Sequence, residues 1–160
     1  MSEFEQIVSV VRSSAQKEVA ADESSMPKAV RLAAEDIVPV CLELLQNPSA
    51  YFDMLSCITG VDNGPEAGTM EVIYNLYSIP FNHHLMLKVL LPRNNPEIES
   101  VTHIWKTANW HEREIYDMFG INFKNHPDLR RILLPADWEG HPLKKDYRQQ
   151  DYYRGIKVEY

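Results

Sequence analysis

Residues 69–79 read TMEVIYNLYSI, and residues 85–91 read LMLKVLL. Large apolar side chains occupy every second position in both segments: Met70, Val72, Tyr74 and Leu76 in the first, then Leu85, Leu87, Val89 and Leu91 in the second. Because side chains on a strand alternate between two faces, each segment predicts a strand with one apolar face. The Pro80-Phe81-Asn82 turn between them predicts that the two strands run antiparallel.

The segments around this hairpin predict the rest of an α+β domain. Aromatic and β-branched residues indicate a further strand over residues 51–61, and a short apolar alternation indicates another over residues 29–32. Apolar residues at helical spacing predict helices over residues ~3–20, 36–46 and 100–119. We therefore expect an antiparallel sheet of about four strands, with two to three helices covering its apolar face.

Charge and proline content divide the chain at residue 120. Residues 1–120 hold 8 basic and 17 acidic side chains, whereas residues 121–160 hold 8 basic and 6 acidic ones, with prolines at 127, 135 and 142. The second part shows no sustained apolar period, and long irregular segments are usually functional or bound to a partner. We predict a core domain over residues 1–120 and an extended basic tail over residues 121–160 that docks on a partner.

Composition excludes several classes of protein. The formal net charge of −7 argues against nucleic-acid binding, which depends on Lys and Arg neutralising phosphates. The longest apolar-rich stretch, residues 37–45, is far short of the ~20 residues of a spanning helix. The N-terminus lacks the features of a signal peptide, which predicts a cytoplasmic protein. Cys41 and Cys57 form no CxxC motif and are expected to be small buried hydrophobes.

The densest polar cluster is HEREIYD, residues 111–117. Asn109 followed by Glu112 resembles a helix capping box, and Arg113 and Asp117 are spaced as an i,i+4 pair on the side of the helix opposite its apolar stripe. A metal site is the alternative interpretation of the same cluster. The second ligand of H-E-x-x-H is missing, but His111 and Glu114 could meet one metal ion, with His126 or His141 completing the set.

Three stretches carry a family resemblance. Residues 112–123 read EREIYDMFGINF, residues 126–133 read HPDLRRIL, and residues 138–147 read WEGHPLKKDY. They closely resemble the E-R-E-x-x-D-x-F-G-I, H-P, R-R-I-L and W-x-G-x-P-L-R-K-D-Y elements of the thirty-kilodalton-subunit family of respiratory complex I, the NADH:quinone oxidoreductase. Lys144 stands where the family usually has Arg, and Arg148 stands where many relatives have Pro.

The resemblance implies a subunit of the peripheral arm on the cytoplasmic side of the inner membrane, packed against the forty-nine-kilodalton-type subunit. It implies no cofactor in this chain, because FMN and the Fe–S clusters belong to partner subunits. The signature residues then become contacts rather than catalysts: Glu112, Arg113, Glu114, Asp117, His126, Arg130, Arg131, Lys144, Lys145 and Asp146. The basic members are expected to pair with carboxylates of a partner.

Three other functions remain open at this level. The chain could be the equivalent subunit of a related membrane-bound hydrogenase-type complex, a small metalloenzyme that uses His111, Glu114 and His126, or a free-standing adaptor domain. The charge pattern also predicts that replacing Arg130 and Arg131 with Ala leaves the isolated fold nearly intact and impairs assembly.

Overall fold

The computed structural model describes residues 2–158 and contains three α-helices and nine strands in that range. The helices are α1 (Glu3–Ser14), α2 (Ile37–Gln46) and α3 (Ala108–Phe119). The strands are β1 (Ala20–Asp22), β2 (Ala29–Leu32), β3 (Met54–Asp62), β4 (Thr69–Ser78), β5 (His83–Pro92), β6 (Glu97–Glu99), β7 (Asn122–Lys124), β8 (Tyr152–Tyr153) and β9 (Ile156–Lys157). The α+β class predicted from the sequence is confirmed.

The main sheet has five strands in the order β1-β2-β5-β4-β3. β3, β4 and β5 form the predicted antiparallel meander, in which Tyr74 lies opposite Leu87. β2 differs from the prediction because it pairs with β5 in parallel, with Val30 opposite Leu87. Parallel neighbours need a long crossover connection, and α2, β3 and β4 supply it between β2 and β5.

The fifth strand, β1, lies at the end of the predicted first helix, where the sequence pattern predicted no strand. Ala20–Asp22 pairs antiparallel with β2 and forms an edge of the sheet. α1 also ends earlier than predicted, at Ser14. The carboxylate of Asp36 accepts the backbone N–H groups of Gln16 and Lys17 at 3.0 Å each, which satisfies these donors outside a helix.

The apolar face of the sheet packs under the helices. The alternating side chains of β4 and β5 that predicted the hairpin are all buried, and Phe4, Val11, Val40 and Leu44 of α1 and α2 belong to the same core. α3 packs closely on β3 at Gly60, where an added Cβ would lie 2.8 Å from Cδ2 of Phe119. Within the described residues, no helix combines the length and apolar character needed to cross a bilayer.

α3 begins at Ala108, not near residue 100 as predicted. Residues 97–99 instead form β6, which pairs in parallel with β7, and turns occupy the chain up to the helix. The C-terminal end matches the prediction, because Gly120 adopts the left-handed conformation at φ 74° and stops the helix. Residues 125–151 contain no helix or strand, yet their backbone is fixed against the core by buried carboxylates.

Candidate functional site

The charged cluster of α3 points into the protein. Glu112 and Asp117 are completely buried and Arg113 nearly so, which corrects the prediction that Arg113 and Asp117 lie on a solvated helix face. The capping box also does not form: the N-cap position is Thr107, whose hydroxyl donates to the Leu55 carbonyl. These charges lie inside because they bind polar backbone of distant segments, a pairing that sequence spacing alone does not reveal.

Glu112 ties α3 to the turn that precedes it. One carboxylate oxygen accepts the Ser100 hydroxyl at 2.6 Å, and the other accepts the backbone N–H of Val101 at 2.8 Å. His126 Nε2 lies 3.9 Å from the same carboxylate. Burial raises the pKa of Glu112 to about 7, although the two hydrogen bonds favour the ionised form. Glu112 therefore anchors this turn from a buried position, and its carboxyl group gains or loses a proton near neutral pH.

Asp117 anchors the chain that follows β7. Its Oδ2 accepts the backbone N–H groups of Ile132, Leu133 and Leu134 at 3.0, 2.8 and 3.0 Å, and its Oδ1 accepts Arg131 Nη1 at 2.8 Å. Burial opposes ionisation, but these donors outweigh it and lower the pKa of Asp117. One buried carboxylate thus fixes four successive residues of the irregular segment.

Asp62, at the end of β3, forms a second anchor for the same segment. Arg93 binds its two oxygens at 2.8 and 2.9 Å, and the backbone N–H groups of Lys145 and Gly64 donate to it at 2.8 and 2.9 Å. The Arg93 hydrogen bonds, opposed by burial, hold the pKa of Asp62 far below its usual range. Arg93 also pairs with Asp146. Sequence reasoning missed Asp62 and Arg93 as site residues, because they are 31 residues apart and only the fold brings them together.

The other signature residues divide between the inside and the surface. Arg131 is 13% exposed and is committed to Asp117, with a further bond from Nη2 to the Gly140 carbonyl at 2.7 Å. Arg130 is 73% exposed, and its side chain pairs with Asp128 beside it at 3.0 Å. Glu114 and Lys145 are exposed and Lys144 is half-buried. A partner contact remains a prediction for the exposed residues, and for Arg131 it would require breaking an internal ion pair.

The proposed metal ligands are not brought together. Across residues 2–158, no three His, Cys, Asp or Glu side chains converge on a point where they could hold a metal ion. His126 is held between Asn109, whose carbonyl lies 3.3 Å from Nε2, and Asp128, whose N–H donates to Nδ1 at 3.0 Å. His141 Nδ1 lies 2.8 Å from the Asp117 carbonyl. Both histidines act as structural links to α3.

Sequence comparison identifies the relatives of this chain. Residues 30–153 match the family described as the respiratory-chain NADH dehydrogenase 30 kDa subunit. The C-type subunit of NADH-quinone oxidoreductase from Chloroherpeton thalassium is 52% identical over 110 residues, which cover 68% of this chain and 45% of the relative. Its counterpart from Chlorobium phaeobacteroides is 48% identical over 122 residues, covering 76% of this chain and 73% of the relative. The chain thus spans less than half of the first relative and about three quarters of the second.

Solved structures share the fold. The trypsin-resistant fragment (1-134) of Nqo5 superimposes with a TM-score of 0.62 at 27% identity, covering 80% of this chain and all of the fragment. A chain of the membrane-bound sulfane sulfur reductase, an archaeal respiratory membrane complex, superimposes with a TM-score of 0.76 at 23% identity, covering 92% of this chain and 86% of that one. The matched signature and the fold together show that this chain belongs to the 30 kDa-subunit family of respiratory NADH:quinone oxidoreductases.

Proposed function

We propose that the chain is a non-catalytic subunit of the peripheral arm of NADH:quinone oxidoreductase. In this proposal other subunits carry electrons from NADH through FMN and Fe–S centres to quinone, coupled to proton translocation. This chain binds no redox centre and lies on the cytoplasmic side of the membrane. Its role is to assemble with, and support, the forty-nine-kilodalton-type subunit at the quinone site.

The proposal depends above all on how the buried carboxylates are used. The carboxylates of Asp117 and Asp62 already accept hydrogen bonds from Arg131, Arg93 and backbone N–H groups. A carboxylate that already accepts several donors is poorly placed to act as a general base. Its effect is to convert an irregular segment into a surface of fixed shape, and preorganised surfaces bind partners at a lower entropic cost.

The fixed segment presents apolar and basic groups outward. Leu133 is 60% exposed and Leu143 is 53% exposed, although the backbone N–H of each is bound to α3. Arg130 and Lys145 add positive charge to a chain whose first 120 residues are strongly acidic. Exposed leucines beside fixed charges are typical of an interface core with a polar rim. This supports the docking role that the resemblance implied for residues 121–160.

Purification of the tagged chain from its native cell tests the proposal. We expect co-purification of the forty-nine-kilodalton-type subunit and of the subunits that bear FMN and Fe–S clusters, identified by mass spectrometry. Recovery of the chain without Fe–S subunits would contradict the proposal. Recovery with Fe–S subunits but no NADH-oxidising flavin subunit would instead identify a related complex with another electron donor.

Substitutions of the exposed leucines test whether this segment is where the partner subunits dock. Leu133→Ala and Leu143→Ala should leave the melting temperature of the isolated chain nearly unchanged, because both side chains are largely exposed. They should reduce recovery of the partner subunits. Leu90→Ala is the matched control, since Leu90 is 52% exposed but lies on β5. Equal recovery with all three variants would remove this surface from the interface.

A further inference from the structure

A groove lies beside the first turn of α3, and neither Leu133 nor Leu143 lines it. Its volume is about 620 Å³, and its walls are the turn at residues 102–106, the start of α3 at Asn109 and Trp110, and the turn at residues 125–127. Trp110 is 64% exposed, which is more than any other aromatic side chain in the described helices. An exposed indole beside a groove offers a large apolar face, with a polar N–H, to a partner.

The walls of the groove are held rigidly from inside. Glu112 binds Ser100 and Val101, which fixes the turn that begins at residue 102. Trp105 Nε1 donates to the Phe52 carbonyl at 3.2 Å, which attaches the same turn to the core. The groove therefore exists before any partner binds, and little ordering entropy is lost on binding.

His126 fixes the opposite wall as a neutral ring. Nδ1 accepts the backbone N–H of Asp128, so the proton lies on Nε2 and is donated to the Asn109 carbonyl. Burial and the charge of Arg113 lower the pKa of His126, which favours the same neutral form. The turn at residues 125–127 is thus joined directly to the first turn of α3.

The groove carries one positive charge, on Lys106, and several hydrogen-bond donors. Its lining includes Lys106 and His103 but no acidic side chain. Within the described part of the chain, the side chains of these two residues have no hydrogen-bond or ion-pair partner, and neither does the indole N–H of Trp110. The Arg113 guanidinium lies 5.2 Å from the centre of the Trp110 ring and covers it on one side. Asn125 in the lining already donates to the Glu99 carboxylate at 2.7 Å, so the donors left for another carboxylate are those of Lys106, His103 and Trp110.

We propose that this groove binds an acidic segment of a partner subunit, with Trp110 as its central contact. Carboxylates of that segment meet Lys106, His103 and the indole N–H, and an apolar side chain packs on the free side of the Trp110 ring. Trp and Arg are the residue types that most often dominate binding energy when they lie in a preformed pocket. The inference rests on the proposed function, because it identifies a second contact with the same complex.

Competition during assembly tests the groove. Wild-type chain and a variant carry different tags and are expressed together, and their ratio in the purified native complex is measured. We expect Trp110→Ala and Lys106→Glu each to be incorporated about tenfold less than wild type. The matched controls are Leu90→Ala, another exposed apolar residue, and Arg12→Glu, the same charge reversal on exposed α1. Both controls should be incorporated at parity.

Oxidative footprinting supplies a second readout that does not depend on a variant. In the isolated chain Trp110 should be oxidised readily, and in the native complex it should be protected, with mass spectrometry reporting the change at this residue. Protection in a homodimer of this chain would assign the groove to a second copy and overturn the acidic partner. Unchanged oxidation of Trp110 in the complex would also overturn the acidic partner, because the groove would then be uncovered.

The outcomes separate this inference from the proposed function. If Trp110→Ala and Lys106→Glu enter the complex at parity while Leu133→Ala does not, the groove is not a contact and the proposed function stands. If the wild-type chain is recovered without Fe–S subunits, the proposed function itself fails. Melting of each isolated variant at the wild-type temperature confirms that a loss of assembly is not a loss of folding.

Discussion

The β4–β5 hairpin and the loops attached to α3 are held in place by different forces. In the hairpin, every second side chain of two strands is apolar and buried. In the α3 segment, the buried carboxylates Glu112, Asp117 and Asp62 hold loops by accepting N–H and O–H donors. Apolar burial is non-directional and does not depend on exact contact geometry. A buried carboxylate, in contrast, stabilises the fold only while its donors stay in place.

The difference has a consequence for cooperativity. Loss of a core contact should weaken the whole domain, because the sheet and the helices share one apolar cluster. Loss of a carboxylate anchor should release mainly the segment that it holds, because residues 125–151 have few ladder hydrogen bonds of their own. Substitutions in each region distinguish these two outcomes.

The largest effect is expected from Asp117→Asn. The substitution removes the charge that pairs with Arg131 and weakens the acceptor of three backbone N–H groups. Breaking a buried pair in this way costs about 3–5 kcal/mol. Hydrogen exchange followed by mass spectrometry should show faster exchange confined to residues 130–147.

Leu87→Ala is the control for this experiment. Leu87 lies at the centre of the sheet and is completely buried, so its truncation should cost about 2–5 kcal/mol. Exchange should then rise throughout the sheet and α2. If Asp117→Asn accelerates exchange of the sheet to the same extent, the two regions unfold together and the proposed difference between them is wrong.

A pH dependence is expected from Glu112. Its pKa is raised in the fold from an ordinary 4.5 to about 7, so the folded state binds more protons than the unfolded state between these values. The stabilisation from this group is therefore complete below pH 4.5 and is lost as the pH rises through 7, with a change on the order of 3 kcal/mol. Denaturant unfolding of Glu112→Gln, which cannot ionise, should lack that decline.

Glu114→Gln is the control for the pH experiment, because Glu114 is the exposed acidic neighbour two positions along α3. It should keep the pH profile of the wild type. An identical profile for wild type and Glu112→Gln would show that another group titrates in this range.

The smallest effects separate the neighbours Arg130 and Arg131. Arg131→Ala removes a hydrogen-bonded ion pair with buried Asp117 and should cost about 1.5–3 kcal/mol, whereas Arg130→Ala changes an exposed residue and should stay within about 0.5 kcal/mol. Thermal melting of the two single variants measures both. This replaces the expectation that the pair can be removed without harm to the isolated fold. Equal losses would mean that Arg130 also contributes to the attachment of the tail.

Sequence reasoning worked where one residue's environment follows from its near neighbours. Alternation predicted β4 and β5, helical spacing predicted α2, and the end of the helical pattern at residue 119 predicted the end of α3. It was wrong where distant partners decided the outcome. The start of α3, the end of α1 and the inward direction of Arg113 and Asp117 all depend on contacts with residues far away in the chain.

The sequence by itself determined the α+β class, the central hairpin and the family, since periodicity and a long signature are both properties of contiguous residues. Only the tertiary structure decided what the charges of residues 112–117 do. They were the best candidates for an active site, yet the fold gives their carboxylates backbone donors from segments up to 17 residues away, and gives Asp62 a donor 83 residues away. Such distant donors reach a carboxylate only when the chain has folded. The buried carboxylate then requires them, because an unpaired buried charge is too costly to tolerate.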